Sequence, residues 1–296
     1  MTPPRTRLKA VAPKAAEPSK PKMLIYGAPG VGKTWGALDF PAVYYIDTEG
    51  GADLAHYTAK LEASGGVYLG PDHGAQSFET IIEQVEALST ERHGFRTLVI
   101  DSISKVFNLE VTREAERLGD KDQFGASKKP AVAQMRRLIA KLDRLDMNVL
   151  LIAHERGEWG MNGKGERVEI GKTFDGWDKL EYELHLALNI VKRGDTRLAM
   201  VRKSRLAAFA QGGHFPWSFP EFAARYGEAV MKAASTPIIL ATAEQITEAE
   251  RLLASVKTDE GWLEKVLAKA NADALAELTE DQIGKIISHL KGRIAA

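Results

Sequence analysis

Eight consecutive residues, Gly27-Ala28-Pro29-Gly30-Val31-Gly32-Lys33-Thr34, fit the G-x-x-x-x-G-K-[ST] phosphate-loop pattern without a mismatch. Glycines let the backbone curl so that successive N–H groups point inward at phosphate oxygens. In that geometry Lys33 reaches the β- and γ-phosphates, Thr34 offers a hydroxyl to Mg²⁺, and the following helix start adds a favourable field. Four further groups have the right chemistry for a triphosphate. Asp101 closes the apolar run Thr97-Leu98-Val99-Ile100, the form of a carboxylate that secures the Mg²⁺ shell through water. Glu49 sits in the acidic stretch Asp47-Thr48-Glu49 and can orient or deprotonate an attacking water, or be a solvated loop acid. His154 follows Val149–Ala153 and can sense a γ-phosphate or serve as a hydrogen-bonded strand end. Lys203 and Arg205, in Arg202-Lys203-Ser204-Arg205, suit a finger that neutralises phosphate charge on a neighbouring subunit.

Each of these groups falls at a strand end. Met23–Tyr26, Val43–Ile46, Thr97–Ile100 and Val149–Ala153 are short apolar runs of the kind buried in parallel sheets. Ligands bind beyond the carboxyl ends of such strands. Helices are expected over Thr34–Phe40 and Ser77–Leu88, and over a segment with Met135, Leu138, Ile139, Leu142 and Leu145 inward and Arg136, Arg137, Lys141 and Arg144 largely outward. Leu184–Val191 and Leu198–Val201 read as a hairpin turned by Lys192–Asp195, and the aromatic Phe215–Phe222 as packing on the rim of the core.

Two glycine-bearing segments combine cations with aromatics. Arg117–Pro130 carries Lys121, Phe124, Lys128 and Lys129 and reads as a mobile loop; residues 156–176 carry Arg156, Trp159, Lys164, Arg167 and Lys172 among six glycines. Rings that stack on bases and cations that meet phosphates make both candidates for single-stranded nucleic acid, against a poorly ordered surface hairpin for the second.

Composition bounds the rest. The 296 residues are 44% apolar and 27% charged, with zero net charge, so any nucleic-acid site is a local patch. The absence of cysteine excludes disulfides, thiolate metal sites and cysteine nucleophiles, and fits a reducing cytoplasm. No apolar run reaches the roughly 20 residues of a membrane span. The expected layout is a disordered basic arm at 1–22, an ATPase core at 23–232, a linker at 233–241 and a helical interaction module at 242–296. Thr242 with Gln245 and Thr279 with Gln282 fit capping boxes in that module, and Thr258 is a further cap.

Taken in order, GAPGVGKT, YYIDTEGG, LVIDS, VLLIAHE, a glycine-rich loop and a hairpin ending VRKSR resemble the RecA-like recombinase core, and within it the phage RecA/Rad-type single-strand annealing ATPases. The resemblance covers about Met23 to Arg205. It implies an α/β fold with a twisted, mostly parallel sheet, ATP and Mg²⁺ as cofactors, and a homo-oligomer, ring or filament, with ATP at the subunit interface. It also implies single-stranded DNA as partner, a phage protein acting in the host cytoplasm, Glu49 as the catalytic carboxylate, and Lys203 and Arg205 acting across the interface. The two DNA-binding loops map to about Arg117–Pro130 and Arg156–Gly176. AAA+ ATPases usually place their catalytic Glu directly after the strand-end Asp; here Ser102 stands there, which moves that role to Glu49. The rival expectations are a helicase or helicase loader, and a nucleotide switch whose C-terminal bundle binds a protein partner.

Overall fold

The computed structural model describes residues 19–51, 55–123, 125–256, 261–270 and 272–294. Most of the expected arm, together with Phe124 and Thr258, lies outside them. Nine strands among the described residues form one sheet, ordered β3-β2-β4-β5-β1-β7-β8-β9, with β6 paired to an extension of β5. They are β1 Lys22–Gly27, β2 Val43–Asp47, β3 Val67–Leu69, β4 Thr97–Asp101, β5 Asn148–Met161, β6 Arg167–Phe174, β7 Leu186–Arg193, β8 Thr196–Ser204 and β9 His214–Pro216. β3, β2, β4, β5, β1 and β7 run parallel; β8 pairs antiparallel with β7, and β9 antiparallel with β8. All six residues of β1 are buried, as a strand covered on both faces requires.

Alternation along β1 divides the core. Leu24 and Tyr26 face one apolar layer, which includes residues of α3 (Phe78–Thr90), α4 (Ile103–Leu118) and α5 (Lys128–Arg144). Met23 and Ile25 face the other, with α1 (Lys33–Ala37), Leu61 of α2 (Ala55–Ala63), and α7 (Phe219–Tyr226) with α8 (Glu228–Lys232). A short α6 (Leu180–Glu183) precedes β7. Phe215, Trp217, Phe219 and Phe222 are core and not rim, packed with Phe40 and Phe209.

Several segments differ from the sequence reading. Lys20 and Lys22, expected in the solvated arm, are buried, because their ammonium groups replace water with backbone carbonyls. Lys20 Nζ donates to Asp146 O at 3.0 Å and Ala233 O at 2.8 Å; Lys22 Nζ donates to Leu145 O and, at 2.9 Å, to Met147 O. The first expected loop is shorter: Arg117 lies in the last turn of α4, paired with Glu114, and Lys128-Lys129-Pro130 form the first turn of α5. The second is an ordered β-ribbon, β5 continuing past the sheet as far as Met161 and returning as β6. Lys141, expected outward, is buried between Glu86 (2.9 Å) and Glu277.

Those contacts attach the C-terminal module, α9 (Ala243–Ser255), α10 (Trp262–Lys269) and α11 (Glu280–Ile294), to α3 and α5. Arg137 meets Asp273 at 2.9 Å, and Arg144 Nη2 donates to Glu277 O at 3.1 Å. Both capping boxes form: Thr242 and Thr279 Oγ1 accept from Gln245 N and Gln282 N, and each Gln side chain accepts the Thr N–H in return.

Candidate functional site

The phosphate loop joins β1 to α1. Its glycines are required where nothing else fits. A Cβ on Gly27 would lie 2.3 Å from Ile190 O, and one on Gly32, at φ 94°, would lie 2.3 Å from Arg197 Nε. Lys33 Nζ curls over the loop and donates to Gly27 O at 2.8 Å and Ala28 O at 3.1 Å. Partial burial lowers its pKa against the raising influence of Asp101, Glu49 and Glu155.

Thr34 Oγ1 donates to Asp101 Oδ2 at 2.5 Å, and Tyr45 OH donates to the same oxygen at 3.3 Å. Burial pushes the Asp101 carboxyl up to about 6; Glu49 and Asp47 add to this, and Thr34 and Lys33 oppose it. A hydroxyl beside one buried carboxylate is a hard-oxygen pair of the kind that holds Mg²⁺ together with phosphate oxygens and water. No cluster of three or more His, Cys, Asp or Glu suited to an all-protein metal site occurs among the described residues.

Glu49 leaves the end of β2 in a turn shaped by Asp47, whose Oδ1 accepts from Glu49 N at 2.9 Å and Gly50 N at 3.0 Å. Its Oε1 accepts from Ser102 Oγ at 2.6 Å and contacts His154 Nε2. Burial favours the neutral acid, but the Ser102 hydroxyl and His154 outweigh it, so the Glu49 pKa lies below the ordinary value. Ser102 Oγ also lies 3.2 Å from His154 Nε2. The three do not form a hydrolase triad, since acid and hydroxyl meet the same ring nitrogen.

These groups line a cavity of about 520 Å³ with Gly27, Lys33, Thr34, Glu49, Asp101, His154 and Glu155 in its wall. Three contributors escaped sequence reading. Tyr57 lines the cavity, backed by Trp35 and His56 with ring centroids 5.9 and 4.4 Å away, and offers a ring on which a base can stack. Glu155 is held by Asn189 Nδ2 at 3.1 Å. Arg197 reaches from β8 to donate through Nε to Val31 O at 3.1 Å. The signal for Tyr57 was its place eight residues after Glu49, shortly beyond the end of β2; Arg197 had none, because only the β7–β8 register brings it to the loop.

Lys203 and Arg205 are not at this cavity. Lys203 pairs with Ala187 near the start of β7, and Arg205 N donates to His185 O at 2.8 Å, at the opposite end of the sheet. Their charged ends donate to Leu184 O and Tyr182 O. Among the expected DNA residues, Lys128 and Lys129 are exposed on α5, and Trp159, Lys164 and Arg167 are exposed on the ribbon. Arg167 lies over the Trp159 ring at 5.4 Å. Arg156 and Lys172 are neutralised by Asp178 (2.5 Å) and Glu169, which leaves Lys164 and Arg167 as the ribbon's cations without an ion pair among the described residues.

One inserted strand, β5, separates the phosphate-loop strand from the Asp101 strand, and that insertion sets His154 between the loop and Glu49. This is the RecA-like arrangement of a P-loop NTPase. The chain belongs to the AAA domain family, which matches residues 19–208; it is a nucleotide-binding protein of the ATPase type. Similar solved structures include the RadB recombinase, 18% identical, with 66% of this chain and 86% of that one covered at a TM-score of 0.42. A KaiC-like protein from the hyperthermophilic archaeon Pyrococcus horikoshii OT3 is 16% identical, with 66% and 84% covered at a TM-score of 0.38. No curated protein matches the chain. No helix among the described residues is long and apolar enough to cross a membrane.

Proposed function

We propose that the protein is a Mg²⁺-dependent ATPase that binds single-stranded DNA and supports strand annealing or pairing as a ring or filament. The observation that carries this reading is that His154, in contact with Glu49 at the cavity, is also where β5 leaves the sheet to become the Trp159-bearing ribbon. A change at the phosphate is thereby continuous with a change at the candidate DNA surface. Lys33 and the loop N–H groups hold phosphate, and Thr34 and Asp101 hold Mg²⁺, which supplies charge neutralisation when bound. Glu49 orients the water; the Tyr57 ring supports the base. The exposed Trp159 ring with Arg167 and Lys164 suits exposed bases and phosphates of a single strand.

The test has two parts. Glu49→Gln should lower turnover at least ~100-fold while nucleotide binding persists. Anisotropy of a labelled oligonucleotide should respond to an ATP analogue in the parent. Near-parental turnover in Glu49→Gln would demote that acid to a loop residue, and no DNA binding near physiological salt would leave a nucleotide switch. That rival has its own support in an apolar groove of about 270 Å³ on the C-terminal module, lined by Trp262, Val266, Ile286 and His289.

A further inference from the structure

We propose that Ser102 is a positioning residue for Glu49, and that Ser102 and Thr48 together keep this carboxylate aimed when His154 turns from it to a phosphate oxygen. The inference rests on the reading in which Glu49 orients the attacking water.

The two partners of Glu49 Oε1 differ in how firmly they are held. Ser102 is fully buried. Its hydroxyl has one proton, donated to Glu49 Oε1 at 2.6 Å, and it accepts the Lys105 N–H at 3.2 Å as the N-cap of α4. Both roles are met by one rotamer, so the cap fixes the position of the oxygen that donates to Glu49. Its backbone is tied as well: Ser102 N donates to Thr48 Oγ1 at 2.8 Å, Thr48 Oγ1 donates to Ser102 O at 3.1 Å, and Thr48 N donates to Asp101 O at 2.7 Å. Thr48 is itself fully buried and directly precedes Glu49. Three hydrogen bonds thus join the ends of β2 and β4 at the point where Glu49 departs.

His154 is the opposite case. Its backbone is anchored, N donating to Ser104 Oγ at 2.9 Å, but its side chain is 47% exposed at the cavity wall. A carboxylate only accepts, so the contact with Glu49 requires the proton on Nε2. That single N–H can serve Glu49 or a phosphate oxygen, not both. When it serves phosphate, the Ser102 hydroxyl is the remaining side-chain donor on Oε1 among the described residues, and Oε2 is left for water. Alanine at 102 would remove that donor, and a misplacement near 1 Å in a reacting group can cost ~100-fold in rate.

The experiment measures kcat, KM and nucleotide affinity for the full chain carrying Glu49→Gln, Ser102→Ala, Ser102→Gly, Ser102→Thr, Thr48→Val and Thr48→Ser. Glycine caps a helix nearly as well as serine, so Ser102→Gly keeps the cap and loses the hydroxyl. The expected result is a roughly 10- to 100-fold fall in kcat for Ser102→Ala, Ser102→Gly and Thr48→Val, with nucleotide affinity held within about twofold. Ser102→Thr and Thr48→Ser, which restore the hydroxyls, should recover most of it. Turnover retained in Glu49→Gln would remove the underlying reading. An inactive Glu49→Gln beside near-parental Ser102→Ala and Ser102→Gly would overturn the positioning role alone. So would normal activity in Ser102→Gly with loss only in Ser102→Ala, since that pattern reports the cap; and so would loss of nucleotide affinity in both, which reports a collapsed fold.

Discussion

Replacing Asp101 by Asn should make the nucleotide-free protein more stable while disabling its metal site. The Asp101 carboxyl is 8% exposed, and burial, helped by Glu49 and Asp47, pushes it up to about 6. In the unfolded chain an Asp titrates near ~3.9. The folded state therefore binds this proton more tightly. The favourable contribution is complete below about 3.9, shrinks as the unfolded state ionises first, and is gone above about 6. Roughly two units at ~1.4 kcal/mol each put the loss at about 3 kcal/mol at neutral pH. Asparagine has no charge to desolvate and keeps a carbonyl to accept from Thr34, 2.5 Å away, and Tyr45, 3.3 Å away. Urea unfolding between pH 4.5 and 8 with chelator should show Asp101→Asn about 2–3 kcal/mol above the parent at pH 7.5, the gap closing toward the acid end. Adding Mg²⁺ and nucleotide should reverse the order, since ligand at ~1,000 times its dissociation constant contributes about 4.1 kcal/mol only to a chain that binds it. A variant equal to or weaker than the parent at pH 7.5 would refute the claim that this carboxylate is held at a cost to the fold.

Lys203→Ala and Arg205→Ala should each depress turnover with protomer nucleotide affinity intact, and mixing either with Glu49→Gln should restore part of it; no recovery despite subunit exchange would remove the trans role. Trp159→Ala should weaken single-strand binding by about 1–3 kcal/mol in an anisotropy titration. Lys164→Ala and Arg167→Ala should each lower the salt slope by about 0.7, and Lys172→Ala should change it less, because Glu169 already neutralises it; equal slopes would refute the distinction. Lys141→Ala leaves the part-exposed Glu86 and Glu277 without their shared counter-charge and should cost about 1–2 kcal/mol, read by urea unfolding and by faster proteolysis at 233–241.

The parallel strands were legible because both faces of each are covered, which writes Met-Leu-Ile-Tyr and Leu-Val-Ile directly into the chain. The phosphate loop was legible because its backbone needs glycine at set spacings. What stayed hidden depended on partners far away in sequence. Lys141 has the pattern of a surface cation until Glu277 supplies a buried counter-charge, and Lys20 reads as a tail residue until Ala233 supplies a carbonyl. The 156–176 segment has the glycine content of a poorly ordered hairpin, yet its strands pair from Glu155 with Phe174 to Met161 with Arg167, and Gly157 leaves room for the Trp159 and Glu169 side chains beside it. Ser102 was noticed for the glutamate it replaces; its bond to Glu49 appears only once β2 and β4 are adjacent.

The separation of Lys203 and Arg205 from the phosphate loop constrains any assembly that uses them. β7 lies parallel to β1, and β8 returns beside it, so Arg197 touches the loop while Arg205 sits back at His185. The six residues of β1 span about 20 Å, longer than any side chain. Within one protomer these cations cannot meet the γ-phosphate held by Lys33. If they act on phosphate, they act on a neighbour's, and the contact joins the base of one sheet to the top of the next. Repeated head to tail, such a contact is heterologous; a twofold dimer could make it only by laying two sheets side by side and antiparallel, each base against the other's top. Repetition of one head-to-tail contact gives a ring where the rotation closes and a filament where it does not. Sizing the protein with an ATP analogue therefore tests the placement of these two residues. Full activity carried by the isolated monomer would exclude the trans role of Lys203 and Arg205, whatever their single variants do to turnover.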